Sequence, residues 1–118
     1  MKSGSEMIAE AKSRIRESSV AALKQSMGTG AQPVILDVRE PNETNLGCIP
    51  GAIVIPRGTL ETKVEAMIPR AATIVIYCAS GNRSAFAADT LQQMGYKDVT
   101  SLAAGWSGWV TSGGPVEG

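Results

Sequence analysis

The sequence predicts an α/β domain built around a largely parallel sheet. Three short apolar runs, at residues 33–38, 52–55 and 73–77, lack alternation and are typical of strands buried on both faces. Stretches with helical periodicity, at 60–68 and 84–94, separate or follow these runs. Strands that alternate with helices indicate a parallel sheet whose faces are covered by helices. The length of 118 residues fits one domain.

The first segment of the chain predicts a helix over residues 5–16. Ser3 and Glu6, at its start, have the spacing of a capping box, and its apolar residues recur on one face. We therefore divide the chain into an N-terminal helical extension, residues 1–16, and a main domain, residues 17–115. The sequence leaves open whether the helix packs on its own domain or on a partner, and the periodicity favours the domain.

Weaker signals complete the pattern of elements. A poor strand signal at 15–17 precedes a second helix, which ends near Gly28. Residues 98–102 are a weaker strand candidate, and residues 106–111 predict a last short helix. The glycine-rich tail, residues 113–118, is expected to be loose.

The composition excludes several classes of function. The chain has 11 basic and 11 acidic residues, so we expect neither a nucleic-acid nor a membrane partner. It has no histidine, which excludes Cys–His and Ser–His–Asp catalysis and most zinc enzymes, and we expect no metal and no cofactor. The N-terminus lacks the apolar core of a signal peptide, and no run reaches the ~20 residues of a membrane span. A cytoplasmic location is therefore expected.

The strongest functional signal surrounds Cys78. Residues 77–84, Tyr-Cys-Ala-Ser-Gly-Asn-Arg-Ser, leave the clearest strand and enter a helix, and active sites of open α/β sheets lie at such strand ends. Gly81 can adopt a positive φ, which lets successive backbone N–H groups turn inward. The helix N-terminus, with Ser84 as its expected N-cap, and the charge of Arg83 add positive potential. This pattern predicts a cysteine at the mouth of a short anion-binding loop.

Such surroundings predict an anionic sulfur. A free thiol with a pKa of ~8.5 is only a few per cent thiolate at neutral pH, and positive surroundings can lower that pKa by one to several units. We expect the loop to hold Cys78 as a thiolate and then as a persulfide, with no general base. The alternative is a small buried hydrophobic residue at a strand end. The glycine loop, Arg83 and the helix favour the functional interpretation.

The motif Cys-x-x-Gly-x-Arg-Ser at 78–84 resembles the active-site loop of single-domain rhodaneses, the thiosulfate sulfurtransferases. Three further segments agree in order and spacing with that family. They are Leu-Asp-Val-Arg-Glu-Pro at 36–41, Gly-Cys-Ile-Pro-Gly-Ala at 47–52 and Leu-Ala-Ala-Gly-Trp at 102–106. The resemblance covers residues 34–115. It implies a rhodanese-like five-stranded parallel sheet with helices on both faces, to which the N-terminal helix is an addition.

The resemblance also implies a ping-pong transfer of sulfur. The Cys78 thiolate attacks the outer sulfur of a small-molecule donor such as thiosulfate, sulfite leaves, and the persulfide passes its sulfur to a thiol or to cyanide. Cys78 is then the catalytic residue. The residues expected to bind the transferred sulfur or the donor form the active-site loop: Ala79, Ser80, Gly81, Asn82, Arg83 and Ser84.

The sequence departs from the family pattern at two positions that matter. Ala79 stands where many members have arginine, which would weaken thiosulfate binding, so a protein persulfide is a further candidate donor. Cys48 stands where the family has histidine; it either packs inertly, which we favour, or resolves the persulfide into a disulfide. Asp37 and Arg39 are candidate supporting residues of the site, and an ion pair that holds loops together is an equal alternative.

Two other functions remain open. Dual-specificity phosphatases also use a cysteine and an arginine, but their loops place one more residue between them than the four that separate Cys78 from Arg83. The shorter loop here suits one sulfur better than a phosphate. The second alternative is a rhodanese-like binding module, or a sulfur relay that acts with protein partners.

Overall fold

A five-stranded parallel sheet with helices on both faces forms the centre of the protein, as the sequence predicts. The structure is a computed structural model and describes residues 1–30 and 32–118. The strands lie in the order β1-β5-β4-β2-β3, and every pair of neighbours is parallel. Their bounds are β1 Arg16–Ser18, β2 Val34–Asp37, β3 Ile53–Val54, β4 Ile74–Tyr77 and β5 Val99–Leu102.

Six α-helices lie in the described residues, and none is long and apolar enough to cross a membrane. Helices α4 and α5 pack on one face of the sheet, and α2 and α6 pack on the other. A short 3-10 turn, Arg57–Thr59, precedes α4. The helix bounds are α1 Gly4–Ser13, α2 Val20–Met27, α3 Pro41–Thr44, α4 Leu60–Met67, α5 Asn82–Gln93 and α6 Gly105–Thr111.

The two hydrophobic layers explain why the central strand has no polar alternation. In β4, Ile74 and Ile76 join the layer under α4 and α5, whereas Val75 and Tyr77 join the layer under α2 and α6. All four residues are buried. Because successive side chains of a strand point to opposite faces, a strand covered on both faces reads as a continuous apolar run.

The N-terminal helix packs on its own domain. The capping box of Ser3 and Glu6 is present, and α1 lies against α5. Arg14 holds it there with two hydrogen bonds to the carboxylate of Asp89, at 3.1 and 2.9 Å, and its carbonyl accepts from Gln92 at 2.9 Å. The division of the chain into residues 1–16 and 17–115 stays a prediction.

The expectation of a loose C-terminal tail is wrong. Cys48 and Glu117 exchange two backbone hydrogen bonds of 2.8 and 2.9 Å, and the indole N–H of Trp109 donates to the carbonyl of Pro115 at 2.8 Å. The carboxylate of Glu117 also accepts from the backbone N–H of Gly51 at 2.7 Å. Composition predicted mobility, but Glu117 contacts Gly51 and Cys48, which lie 66 and 69 positions away in the sequence and leave no local pattern.

Candidate active site

Cys78 directly follows β4, at the carboxyl edge of the sheet. Strand β4 lies between β5 and β2, so the chain segments that follow these three strands meet beside the cysteine. A three-residue turn leads from Cys78 into α5. This position is the one that the sequence predicts, at the carboxyl end of a central parallel strand.

The turn places backbone donors around the sulfur. The N–H groups of Gly81 and Ser84 lie 3.2 and 3.3 Å from Cys78 Sγ, and Ser84 Oγ lies 3.5 Å from it. The expected N-cap is wrong, since α5 begins at Asn82 with Gly81 as its N-cap residue. Ser84 stands in the first turn instead, where its N–H has no partner within the helix and is available to the sulfur.

Only glycine fits at the turn. Gly81 has a φ of 98°, a conformation that side chains rarely adopt. A Cβ atom there would also collide with the carbonyl oxygen of Ala103, in the segment that follows β5. Packing between two loops therefore holds the Gly81 N–H group in the direction of the sulfur.

Opposing effects set the pKa of the Cys78 thiol. Burial raises the pKa, but hydrogen bonds from the Ser84 hydroxyl and from the N–H groups of Ser84, Ser80 and Gly81 favour the thiolate. The hydrogen bonds prevail, and the pKa lies below its ordinary value. The site therefore favours an anionic sulfur without a histidine.

The sulfur is less open than the sequence suggests. Cys78 is 1% exposed, whereas Ser80 and Asn82 on the outer side of the turn are exposed and Ala79 and Arg83 are half-buried. The donors that stabilise the thiolate face inward, and the sulfur lies with them beneath the turn. A donor molecule has to pass the turn to reach it.

Helix α6 supports the other side of the turn. The N–H groups of Trp106 and Ser107 donate to the carbonyls of Cys78 and Ala79, at 2.8 and 3.1 Å. Gly105, with a φ of 60°, allows this approach, because a Cβ atom there would lie 2.6 Å from both carbonyl oxygens. No sequence pattern assigned Gly105 a role, although it stands in the matched segment 102–106.

Ser101 is a second residue that the sequence analysis missed. Its hydroxyl lies 2.8 Å from the hydroxyl of Ser84, and both residues are fully buried. A serine in a weak strand candidate carries no signal in the sequence. The pairing of β4 with β5 places Ile76 beside Ser101 and so brings this hydroxyl under the active-site turn.

Asp37 and Arg39 form a buried ion pair near the turn. The guanidinium of Arg39 donates to the Asp37 carboxylate at 2.8 and 3.1 Å and to the carbonyl of Gly47 at 2.7 Å. It also lies over the ring of Trp106, 4.5 Å from the centroid. These contacts favour the interpretation that the pair holds loops in place, since they join the segments after β2 and β5.

Arg83 has an acidic partner that the sequence analysis did not identify. Its two terminal nitrogens donate to both carboxylate oxygens of Glu43, at 2.7 and 3.0 Å. The hydrogen bonds from Arg83 hold the pKa of Glu43 at about 2, so the carboxylate is charged at neutral pH. The active-site arginine is therefore already paired in this structure.

Cys48 is a free thiol, as is Cys78. Its sulfur lies 3.5 Å from the backbone carbonyl of Glu117, and the residue is half-buried. Burial and the nearby carboxylate of Glu117 raise the pKa of the Cys48 thiol. A thiol held in its neutral form is a poor nucleophile, which favours packing over catalysis for Cys48.

Comparisons with known proteins agree with this geometry. The sequence-family model of the rhodanese-like domain matches residues 19–112 of the chain. A sulfurtransferase of Allochromatium vinosum is 32% identical over 102 residues, which are 86% of this chain and 94% of that protein. A Bacillus subtilis protein named "Putative sulfur carrier protein YrkF" is 36% identical over 92% of this chain, but the match spans only 58% of its length.

Solved structures show the same architecture. A protein of unknown function from Rhodopseudomonas palustris, called a possible tyrosine phosphatase, has a TM-score of 0.84 at 37% identity, over 99% of this chain and 96% of that one. A rhodanese-related protein from Thermoplasma volcanium has a TM-score of 0.77 at 34% identity, over 86% and 97% of the two chains. The chain therefore belongs to the rhodanese-like family of sulfurtransferases and sulfur carriers.

Proposed function

We propose that the protein is a sulfurtransferase that carries sulfane sulfur as a persulfide on Cys78. The donor is thiosulfate or another persulfide-type donor, and the acceptor is a thiol or cyanide. The observation that carries this proposal is the position of Cys78 Sγ, which lies 3.2 and 3.3 Å from two backbone N–H donors. An inert buried cysteine needs no such donors, because a neutral thiol is a weak hydrogen-bonding group.

The proposed reaction has two balanced steps. The Cys78 thiolate attacks the outer sulfur of thiosulfate, a new S–S bond forms, and the bond to the sulfonate sulfur breaks with its electron pair leaving on sulfite. The enzyme then holds a persulfide anion. Cyanide attacks the outer sulfur of that persulfide, thiocyanate leaves, and the thiolate returns. No proton is transferred in either step, which suits a chain without histidine.

The turn is proposed to serve both states of the cysteine. The N–H groups of Gly81 and Ser84 stabilise the attacking thiolate, and N–H groups between Ala79 and Arg83 bind the outer sulfur of the persulfide. Fixed amide donors act in this way on developing or resident charge without reorganising. Cys78 is 1% exposed, so the proposed donor and acceptor both have to pass the turn to reach its sulfur.

A sulfur relay with protein partners is the second candidate function. The curated relative from Bacillus subtilis is named a sulfur carrier, and this chain spans 58% of that protein. In a relay the donor or acceptor is a persulfide or thiol on another protein, and the chemistry at Cys78 is unchanged. A cytoplasmic location for either function remains a prediction of the sequence.

A phosphatase function has weaker support. The Rhodopseudomonas palustris protein is called a possible tyrosine phosphatase. Four residues separate Cys78 from Arg83 here, and the guanidinium of Arg83 is bound by Glu43 at 2.7 and 3.0 Å. Phosphate transfer needs a free bidentate donor for the phosphate oxygens, and the paired arginine does not supply one.

The test measures sulfur on the protein directly. Incubation with thiosulfate is expected to add one sulfur atom to the intact mass, and cyanide is expected to remove it and release thiocyanate. Cys78→Ser should take up no sulfur, whereas the matched variant Cys48→Ser should behave like the wild type. An aryl phosphate should release no phosphate. Phosphate release without sulfur uptake from thiosulfate or a persulfide donor would reject the proposal in favour of the phosphatase.

A further inference from the structure

The charge of Arg83 is neutralised before any substrate arrives. Both of its terminal nitrogens are engaged by Glu43, and the side chains are 37% and 29% exposed. Glu43 is itself oriented, because its carboxylate accepts from the backbone N–H of Glu40 at 3.0 Å. The pair is thus a built contact between α3 and the start of α5, and it lies beside the turn that holds Cys78.

The neighbouring arginines are paired as well. Arg39 follows β2 and is bound to Asp37, and Arg57 follows β3 and is bound to Glu61 at 3.0 Å. Ala79 supplies no charge at the position after the cysteine. In the described segments that directly follow β2, β3 and β4, each arginine therefore has an acidic partner.

This arrangement discriminates between donors by their charge. Thiosulfate is a dianion, and a persulfide or a thiosulfonate carries a single negative charge on its sulfane group. The Arg83–Glu43 pair offers no net charge to either. At any given distance, the Coulomb energy that an unpaired arginine would supply doubles with the charge of the donor. Pairing of Arg83 with Glu43 therefore disfavours the dianion more than the monoanion.

We propose that Glu43, by pairing with Arg83, makes this site selective for sulfane donors with one negative charge, such as a persulfide, over dianionic thiosulfate. The proposal rests on the sulfurtransferase function proposed above and names the donor class of the same site. Glu43 is a specificity-determining residue here and touches no reacting atom.

The matched donors for the test are thiosulfate and methanethiosulfonate, which differ in charge and little in shape. With methanethiosulfonate, the Cys78 thiolate attacks the outer sulfur and the S–S bond of the donor breaks. Its electron pair leaves on methanesulfinate, and the protein holds the same persulfide as with thiosulfate. Loading is followed by intact mass at a fixed pH, and kcat/KM is taken from thiocyanate release under excess cyanide.

Glu43→Gln removes the charge and keeps an oxygen that can accept from Arg83. We expect it to raise kcat/KM for thiosulfate several-fold more than for methanethiosulfonate, because the released charge of Arg83 attracts the dianion more strongly than the monoanion. The gain should shrink as salt is added. Glu65→Gln removes one charge from the exposed pair with Arg70, which lies beside Met94 at the far end of α5, and should leave the ratio of the two kcat/KM values unchanged.

The outcomes separate this proposal from the function on which it rests. If Glu43→Gln and the wild type have the same ratio of donor rates while both load sulfur, the selectivity proposal is wrong and the sulfurtransferase stands. A double variant, Glu43→Gln with Arg83→Gln, should restore the wild-type ratio of the two kcat/KM values, because it has no arginine charge at position 83. If neither of these donors nor a persulfide loads sulfur on the folded wild type, the sulfurtransferase proposal itself fails.

Discussion

The hydroxyl oxygens of Ser84 and Ser101 lie 2.8 Å apart, and Ser84 Oγ also lies 3.5 Å from the sulfur of Cys78. Each hydroxyl has one proton to donate. When Cys78 is a thiolate, the proton of Ser84 is directed to the sulfur, and its oxygen is then free to accept from Ser101. When Cys78 is neutral, its thiol can donate to Ser84, and Ser84 can donate to Ser101. Ser101 therefore supports the hydrogen bond from Ser84 to the sulfur when Cys78 is a thiolate.

Replacing Ser101 by alanine should raise the pKa of the Cys78 thiol. The loss of one supporting hydrogen bond, about 1 kcal/mol, corresponds to less than one pKa unit. Because the pKa is higher, the thiolate fraction and the rate of sulfur loading at neutral pH should both fall. Thiolate absorbance recorded against pH measures the shift, and Thr100→Ala is the control because its side chain points to the other face of β5.

The same variant shows whether Ser101 acts through Ser84. In a Ser84→Ala background, Ser101→Ala should shift the thiol pKa no further, since the intermediate hydroxyl is gone. An equal shift in both backgrounds would mean that Ser101 acts by packing alone.

The part of the site that lies within one segment could be read from the sequence. Cys78, the positive φ of Gly81 and the nearby helix start all follow from residues 73–84, because a strand, a turn and a helix are local features. The error within that segment was the identity of the N-cap. The structure gives that place to Gly81, because α5 begins at Asn82, two residues earlier than Ser84.

The partners from other segments could not be read in this way. Ser101 reaches the site through the register of β5 on β4, and Glu43 reaches Arg83 across 40 residues of chain. Serine and glutamate are common surface residues, and neither carries a sequence pattern that marks a long-range contact. A prediction of the sheet order alone would have brought β5 next to Cys78, but not the orientation of one hydroxyl.

Gly81→Ala should disrupt the turn. A positive φ in a residue with a side chain costs about 1–3 kcal/mol, and the new Cβ atom would add a collision with the carbonyl of Ala103. We expect a lower free energy of unfolding in urea and a higher pKa of the Cys78 thiol. Gly58→Ala is the control, because Gly58 has open space and no positive φ. Similar losses in both variants would contradict the role given to Gly81.

The buried pair of Asp37 and Arg39 should matter far more for stability than a surface pair. Arg39 is 3% exposed, and Arg39→Gln leaves the Asp37 carboxylate buried without its partner, which costs about 3–5 kcal/mol. Arg57→Gln breaks a pair with the half-exposed Glu61 and should cost less than about 1 kcal/mol. Urea unfolding of both variants measures the difference. Comparable losses would mean that Asp37 is rescued by water or another donor.

Acid should weaken the fold partly through Glu43. Its pKa is about 2 in the folded protein, below its value of ~4.3 in an unfolded chain, so the unfolded state binds its proton first. The resulting stability is present above pH ~4.3 and is lost as the pH falls toward 2. Partial exposure limits the effect to about 1 kcal/mol. The free energy of unfolding, measured with urea from pH 6 to pH 3, should fall less steeply for Glu43→Gln than for the wild type. Equal slopes would contradict the pairing.

The two thiols should differ in how they respond to the size of a reagent. Cys78 has a lowered pKa but is 1% exposed, whereas Cys48 has a raised pKa and is half-buried. A thiolate beneath a turn should react readily with a small reagent and poorly with a bulky one, since access limits it and ionisation does not. The ratio of the rate with iodoacetamide to the rate with an aromatic disulfide should therefore be larger for Cys78. The variants Cys48→Ser and Cys78→Ser isolate each thiol, and mass spectrometry follows the modification. A larger ratio for Cys48 would show that the turn opens freely and that burial does not protect the sulfur.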